Sequence, residues 1–203
     1  MLVRTIWGME VFMYKTYLCI DLKSFYASVE CVELGLDPFE VNFVVADPTR
    51  GGGAITLAAS PAIKKLGVSS RGRIFEIDPK IEYMITPPRM HLYMEYSCKV
   101  YKVFLEFIAK EDIHVYSIDE SFLDVTSYLK LYQISAKELA KKILDRVYEK
   151  TGLTATVGIG DNLYLAKIAM DISAKHNADR MAYLNEELYC QTLWHHTPMT
   201  DFW

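Results

Sequence analysis

The strongest constraint on the fold is a stretch in which two short apolar runs meet at an acidic doublet. The stretch covers residues 114–125, and its adjacent acids are Asp119 and Glu120. The flanking residues are mainly β-branched and aromatic, which favours a buried β-hairpin with the doublet at or near its turn. Taken alone, an ordinary acidic surface turn explains the doublet better, because Asp is a common turn residue.

A second apolar run changes that interpretation, because it also ends in a carboxylate. Residues 17–21 predict another buried strand, and its last residue is Asp21. If the two strands are neighbours in one sheet, three carboxylates converge, which is unfavourable unless cations lie between them. Oxygen ligands select Mg²⁺ or Mn²⁺, so the pattern predicts a two-metal site for phosphoryl or nucleotidyl transfer.

Composition narrows the class of protein. The 203 residues are 51% apolar, enough for the core of one large domain or two small ones. The formal charge of −4 argues against a free-standing nucleic-acid binder held by bulk positive charge. Four scattered cysteines favour reduced thiols in a cytoplasmic protein. No run approaches the ~18 apolar residues of a membrane span, and residues 1–15 are interpreted as an N-terminal tail.

The pattern of apolar residues predicts an α+β fold. Strands are expected at residues 17–21, 41–45, 54–59, 83–85 and 154–159, and longer helices at 90–109, 135–150 and 162–175. Outside an inserted segment, the order is strand, helix, strand, strand, helix, strand, helix. This order predicts a ferredoxin-like antiparallel sheet with helices on one face.

Two further features suggest contacts with phosphate. Ser24 is predicted to cap a helix directly after Asp21, so the helix N-terminus would face a metal-bound triphosphate. The glycine-rich loop at residues 46–53 is interpreted as a hairpin tip instead, because no Gly-Lys-Ser/Thr follows it. Lys64 and Lys65 follow in a short helix, and from the sequence alone a solvated face explains them better than phosphate contacts.

Four segments also carry a family resemblance. Residues 20–30, 116–124, 156–162 and 165–169 resemble the motifs of Y-family translesion DNA polymerases, most closely the bacterial and phage UmuC-like branch. The resemblance implies template-directed DNA synthesis in DNA repair and the SOS response. It also implies a palm at residues 16–24 and 92–190, an inserted α/β fingers subdomain at 25–91, and a linker toward an absent thumb from 191 to 203.

The resemblance assigns roles to individual residues. Asp21, Asp119 and Glu120 would be catalytic and bind two Mg²⁺ ions, for which Mn²⁺ can substitute, and the Leu22 carbonyl would complete one site. Tyr26 would be the steric gate that excludes a ribose 2′-OH. The implied nucleotide-binding residues are Lys23, Ser24, Phe25, Tyr26, Lys64 and Lys175. Lys64 stands where the family commonly has Arg, and Lys175 matches the family lysine only if one residue is inserted.

The implied partners are a deoxynucleoside triphosphate, primer-template DNA and a sliding clamp reached through a C-terminal region beyond this chain. Family members continue into a thumb and a little finger that hold DNA, so we expect this chain alone to bind primer-template poorly and to polymerise little. Two alternatives stay open. One is a nucleotide cyclase of the same palm topology, disfavoured because no Gly-Gly precedes the acids. The other is a non-catalytic interaction fragment.

Overall fold

A computed structural model describes residues 15–202, and two β-sheets organise them. In chain order the strands are β1 Tyr17–Leu22, β2 Phe43–Val45, β3 Ala58–Ala59, β4 Met84–Thr86, β5 Ile113–Val115, β6 Glu120–Asp124, β7 Ala155–Gly160 and β8 Met181–Leu184. The large sheet has the order β5-β6-β1-β7-β8, and the small sheet has the order β3-β2-β4. The α+β class predicted from the sequence is confirmed.

Strand β1 lies in the middle of the large sheet, antiparallel to both β6 and β7. The predicted hairpin is formed by β5 and β6, and Glu120 is the first residue of β6. The register places Asp21 directly opposite Glu120. The edge strand β8, which the sequence interpretation omitted, pairs with β7 in parallel, so the sheet is mixed and not fully antiparallel.

Helices surround the large sheet. Their bounds are α1 Phe25–Glu33, α2 Pro61–Lys64, α3 Met90–Phe104, α4 Thr126–Tyr132, α5 Ala136–Thr151, α6 Leu163–Ile168 and α7 Glu186–Thr192. Helices α3 and α5 pack on one face and bury the main core with alternate residues of β1 and β7. The N-terminus of α5 is fixed by a capping box between Ser135 and Glu138.

Helix α6 packs against the opposite face, which differs from the expectation of helices on one face. Two glycines of β7 explain this arrangement. A Cβ at Gly158 would lie 1.9 Å from the carbonyl oxygen of Ala166, and a Cβ at Gly160 would lie 2.3 Å from the Ala166 nitrogen. Since any side chain at either position would collide with the α6 backbone, the glycines allow the helix to touch the strand.

The small sheet has a core of its own, centred on Val44, Ala59 and Ile63. Strand β2 pairs with β3 in antiparallel and with β4 in parallel orientation. The strand predicted at residues 54–59 is reduced to Ala58–Ala59, because Ile55 forms an isolated bridge with Arg73 instead of extending the pairing with β2.

The last described residues pack against α6, α7 and the edge strand β8. Phe202 is buried with residues of α6 and α7, so the last described segment packs on the domain. In the part of the chain that the structure describes, no helix is long and apolar enough to cross a membrane. The tail predicted at residues 1–15 lies outside the described residues except for Lys15.

Candidate functional site

A cleft of about 380 Å³ opens between the two sheets, beside the end of β1. The large sheet contributes two carboxylates, Asp21 and Asp119, and the small-sheet side contributes Lys64 and Arg71. All the residues predicted for nucleotide binding line it: Lys23, Ser24, Phe25, Tyr26, Lys64 and Lys175. The structure therefore brings together residues that are up to 154 positions apart in the sequence, from Asp21 to Lys175.

Asp21 has an unusual electrostatic environment. Burial, together with the nearby charges of Asp119 and Glu120, raises the pKa of its carboxyl to about 6 against the opposing effect of Lys175. The Lys175 ammonium lies 3.4 Å from an Asp21 oxygen. Negative charge is thus concentrated at the end of β1, where it favours a cation.

Glu120 is held by a lysine that the sequence interpretation missed. Lys167 Nζ lies 2.8 Å from each oxygen of the Glu120 carboxylate, and both side chains are more than 90% buried. The same ammonium lies 3.0 Å from Asp171, and the Cys19 thiol donates a hydrogen bond to Glu120. Glu120 is therefore directed into the protein toward α6, and it does not line the cleft.

Three residues on α6 and the turn that follows it form a row of alternating charges. Lys167, Asp171 and Lys175 are each four residues apart, and Asp171 lies 2.7 Å from Lys175 Nζ. A spacing of four places side chains on one face of a helix, and this was the sequence signal for the row. The row links Glu120 at one end with Asp21 at the other.

The helix predicted at residues 162–175 is not regular. After α6, the residues Ala169–Ala174 form a π-helical turn. Such a turn usually accommodates one extra residue within a helix. Lys175 directly follows this turn, and its side chain reaches Asp21 at 3.4 Å.

The opposite side of the cleft is basic. Lys64 Nζ donates a 2.9 Å hydrogen bond to Ser24 Oγ. The pKa of Lys64 is lowered, mainly by burial and further by the charges of Lys175 and Lys23. The pKa of Lys23 is lowered by burial and by Arg180 and other cations. Cations that depress one another's pKa create a site for an anion.

Two details of the predicted phosphate pocket are wrong. Ser24 occupies the N-cap position of α1, but it has a left-handed backbone (φ 50°) and makes no side-chain cap hydrogen bond. Its hydroxyl accepts from Lys64 instead. The Lys23 amide, just before this helix start, donates to the Thr154 carbonyl at 2.8 Å, so it is not one of the free amides by which the helix N-terminus would face a triphosphate.

The donor set suits a hard cation, although its arrangement is incomplete. Across residues 15–202, no group of three or more His, Cys, Asp and Glu side chains is positioned to hold a metal ion. The Glu120 carboxylate is paired with Lys167, and the Asp21 carboxylate is paired with Lys175, so these oxygens contact ammonium groups of the chain itself. Asp119 stays in the cleft, and its backbone is tied to Leu22 by a 2.9 Å hydrogen bond. These oxygen ligands are of the type that Mg²⁺ prefers.

A larger cleft of about 1150 Å³ lies between the starts of α5 and α7. Its walls carry the carboxylates of Asp161, Asp179, Glu186 and Glu187, with Lys137 paired to Asp179. Because this lining is mainly acidic, it would repel a triphosphate. The smaller cleft has the charges that such a ligand requires.

The chain resembles known proteins along most of its length. Residues 20–171 match the model of the impB/mucB/samB family. UvrX of Bacillus subtilis, a protein named for UV-damage repair, is 40% identical over 95% of this chain and 45% of its own length. DNA polymerase IV 2 of the same organism is 37% identical over 89% of this chain and 43% of its own length. The chain thus spans about half the length of these curated relatives.

Solved structures agree with this result. A ternary complex of Dbh has a TM-score of 0.72 and 25% identity, covering 92% of this chain and 52% of that chain. DinB from Sulfolobus solfataricus has a TM-score of 0.68 and 26% identity, covering 85% of this chain and 49% of that chain. On the family match, the sequence relatives and the shared fold, the chain belongs to the impB/mucB/samB family of Y-family DNA polymerases.

Proposed function

We propose that this chain is the palm and fingers portion of a translesion DNA polymerase and binds a deoxynucleoside triphosphate in the cleft between its two sheets. The large sheet would be the palm, and the small sheet with α1 and α2 would be the fingers. The observation that supports this most directly is the charge distribution of the cleft. Carboxylates line its palm side, and Lys64 of the fingers and Lys23 at the end of β1 line it as well, with pKa values lowered mainly by burial.

In this proposal, the residues of the chain orient the nucleotide. Lys64 and Lys175 would contact the triphosphate. Its negative charge would attract both ammonium groups and so offset the repulsion between them. Tyr26 would lie against the sugar, and Asp21 and Asp119 would hold Mg²⁺ together with the Leu22 carbonyl. Glu120 would be the third catalytic carboxylate, and its side chain would have to turn from Lys167 toward the cleft to join them.

The bound ions would lower the pKa of an attacking hydroxyl and stabilise the leaving pyrophosphate. Primer-template DNA as the other substrate and a role in DNA repair are supported by the names of the relatives, DNA polymerase IV and a UV-damage repair protein. A sliding-clamp partner and a function in the SOS response stay predictions. A cytoplasmic location is part of the proposal and agrees with the free thiols of Cys19, Cys31, Cys98 and Cys190.

Calorimetric titration tests the proposal directly. We expect the chain to bind dATP in the presence of Mn²⁺ and to lose most of that affinity in Asp21→Asn and Asp119→Asn. Asp145→Asn is the matched control, because Asp145 is an exposed carboxylate on α5 that pairs with Lys141. Equal affinity in all four proteins would contradict the assignment of the cleft.

A further inference from the structure

Tyr26 has a structural support that neither the sequence nor the family comparison assigns. Its ring stacks on that of Tyr93, with centroids 4.4 Å apart and an angle of 17° between the planes. Tyr26 lines the cleft, whereas Tyr93 lies behind it on α3 and is fully buried. The ring of Tyr26 therefore cannot withdraw from the cleft without displacing Tyr93.

Tyr93 is in turn fixed by a buried carboxylate. Its hydroxyl donates a 2.6 Å hydrogen bond to Oε1 of Glu30, a residue of α1 that is only 2% exposed. Arg89 Nε lies 3.1 Å from both Glu30 oxygens, and an Arg89 Nη2 hydrogen bond adds to the pair. A buried charge is tolerated only when it is paired and hydrogen-bonded, as Glu30 is.

Glu30 and Tyr93 are both connected to Tyr26. Glu30 lies four residues after Tyr26, so the two side chains occupy the same face of α1. Tyr93 bridges them, because it stacks on one and hydrogen-bonds to the other. The position of the Tyr26 ring is thus determined by α3 as well as by its own helix.

We propose that Tyr93, anchored by Glu30, is a positioning residue that sets how far the Tyr26 ring projects into the cleft and so determines discrimination between deoxyribose and ribose. This inference rests on the proposed function, since it assumes that Tyr26 lies under the sugar of a bound nucleotide. A ring held at fixed depth leaves no room for a 2′-OH, and a ring free to tilt would admit one.

A purely structural role for Tyr93 makes a different prediction. Losing a packing residue would weaken the binding of dATP and ATP to the same extent and would leave their ratio unchanged. The ratio of the two affinities therefore separates positioning from general packing.

The chain offers a matched control one helical turn away. The hydroxyl of Tyr96 donates a 2.7 Å hydrogen bond to Glu33, so this pair joins the same two helices. Tyr96 is also buried, and it does not line the cleft. Tyr96→Phe consequently removes the same type of bond without changing the support of Tyr26.

The experiment measures Mn²⁺-dependent binding of dATP and ATP to the wild type, Tyr26→Ala, Tyr93→Leu, Tyr93→Phe and Tyr96→Phe. We expect the dATP preference to be lost in Tyr26→Ala. In Tyr93→Leu it should fall about two- to tenfold, the range that corresponds to losing one aromatic pair. Tyr93→Phe keeps the ring but loses its anchor, so a smaller fall is expected, and Tyr96→Phe should retain the wild-type ratio.

Retention of the wild-type ratio in both Tyr93 variants would overturn the inference while leaving the proposed function intact. An equal fall in Tyr96→Phe would overturn it as well. If Tyr93→Leu fails to fold, as judged by circular dichroism, the result for Tyr93→Phe decides. Absence of any metal-dependent nucleotide binding in the wild type would instead overturn the proposed function, and the inference with it.

Discussion

The two walls of the cleft balance their charges in opposite ways. On the large-sheet side, Asp21 in the wall and Glu120 behind it are each held by a lysine of the chain itself, at 3.4 Å and 2.8 Å. On the small-sheet wall, Lys64 hydrogen-bonds to the neutral hydroxyl of Ser24, and its pKa is lowered by burial and by nearby lysines. The fold itself thus supplies lysines that compensate the large-sheet carboxylates, whereas the small-sheet wall gains from an external anion.

The largest effect on stability should follow from removing a lysine that pairs with a large-sheet carboxylate. Lys167→Met leaves the buried carboxylate of Glu120 without its cation, and removing one partner of a buried pair costs about 3–5 kcal/mol. We expect a corresponding fall in the free energy of unfolding measured with urea. Lys141→Met is the matched control, because Lys141 and Asp145 form an exposed pair with the same four-residue spacing as Lys167 and Asp171.

The control should lose no more than about 1 kcal/mol, as is typical of surface pairs. A Lys167→Met protein as stable as the control would show that Glu120 does not depend on this lysine. The charge of Glu120 would then have to be compensated by something other than Lys167.

A smaller effect is expected where α6 meets β7. A Cβ at Gly158 would lie 1.9 Å from the Ala166 oxygen, so Gly158→Ala must move the helix that carries Lys167 and Lys175. Overpacking of this type costs about 1–3 kcal/mol, measurable by thermal or urea unfolding. Gly53→Ala on the small-sheet side serves as the control, because a Cβ there meets nothing within 4 Å. Equal stability of the two variants would argue against close packing of α6.

The smallest free-energy change should come from the small-sheet wall, and it should affect ligand binding and not folding. Lys64→Met removes one charged contact to phosphate, which corresponds to about a tenfold loss of dATP affinity. The free energy of unfolding should stay within about 0.5 kcal/mol of the wild type. Lys80→Met, at an exposed position of the same predicted fingers segment, should change neither quantity. If Lys64→Met lost stability but kept its affinity for dATP, Lys64 would serve folding and not ligand binding.

The sequence predicted the large-sheet wall better than the small-sheet wall, for a physical reason. Strand β1 and the hairpin are buried apolar runs, and a buried strand has a strong pattern that specifies its register. The convergence of Asp21 with the doublet followed from that pattern. In contrast, β3 has only two residues, and the 3₁₀ turn before it depends on local hydrogen bonds such as the one that Asp47 accepts from Thr49.

Other features depended on tertiary contacts that no local pattern reveals. The short helices α4 and α7 and the parallel strand β8 lack a long apolar repeat and were missed. The pairing of Lys167 with Glu120 joins residues 47 positions apart. A solvated helix face would have shown the same spacing of Lys and Asp, as α5 does with Lys141 and Asp145. Ser24 is the N-cap residue, as predicted, but it makes no side-chain cap hydrogen bond: its backbone is left-handed, and its hydroxyl accepts from Lys64, forty positions away.

The most direct test of the account is a crystal of this chain soaked with Mn²⁺ and dATP. We predict an anomalous manganese peak between Asp21 and Asp119, with the triphosphate against Lys64 and Lys175 and the sugar over Tyr26. Nucleotide and metal in the larger cleft near Asp179, with the cleft between the sheets left empty, would contradict the proposal that the nucleotide binds between the two sheets.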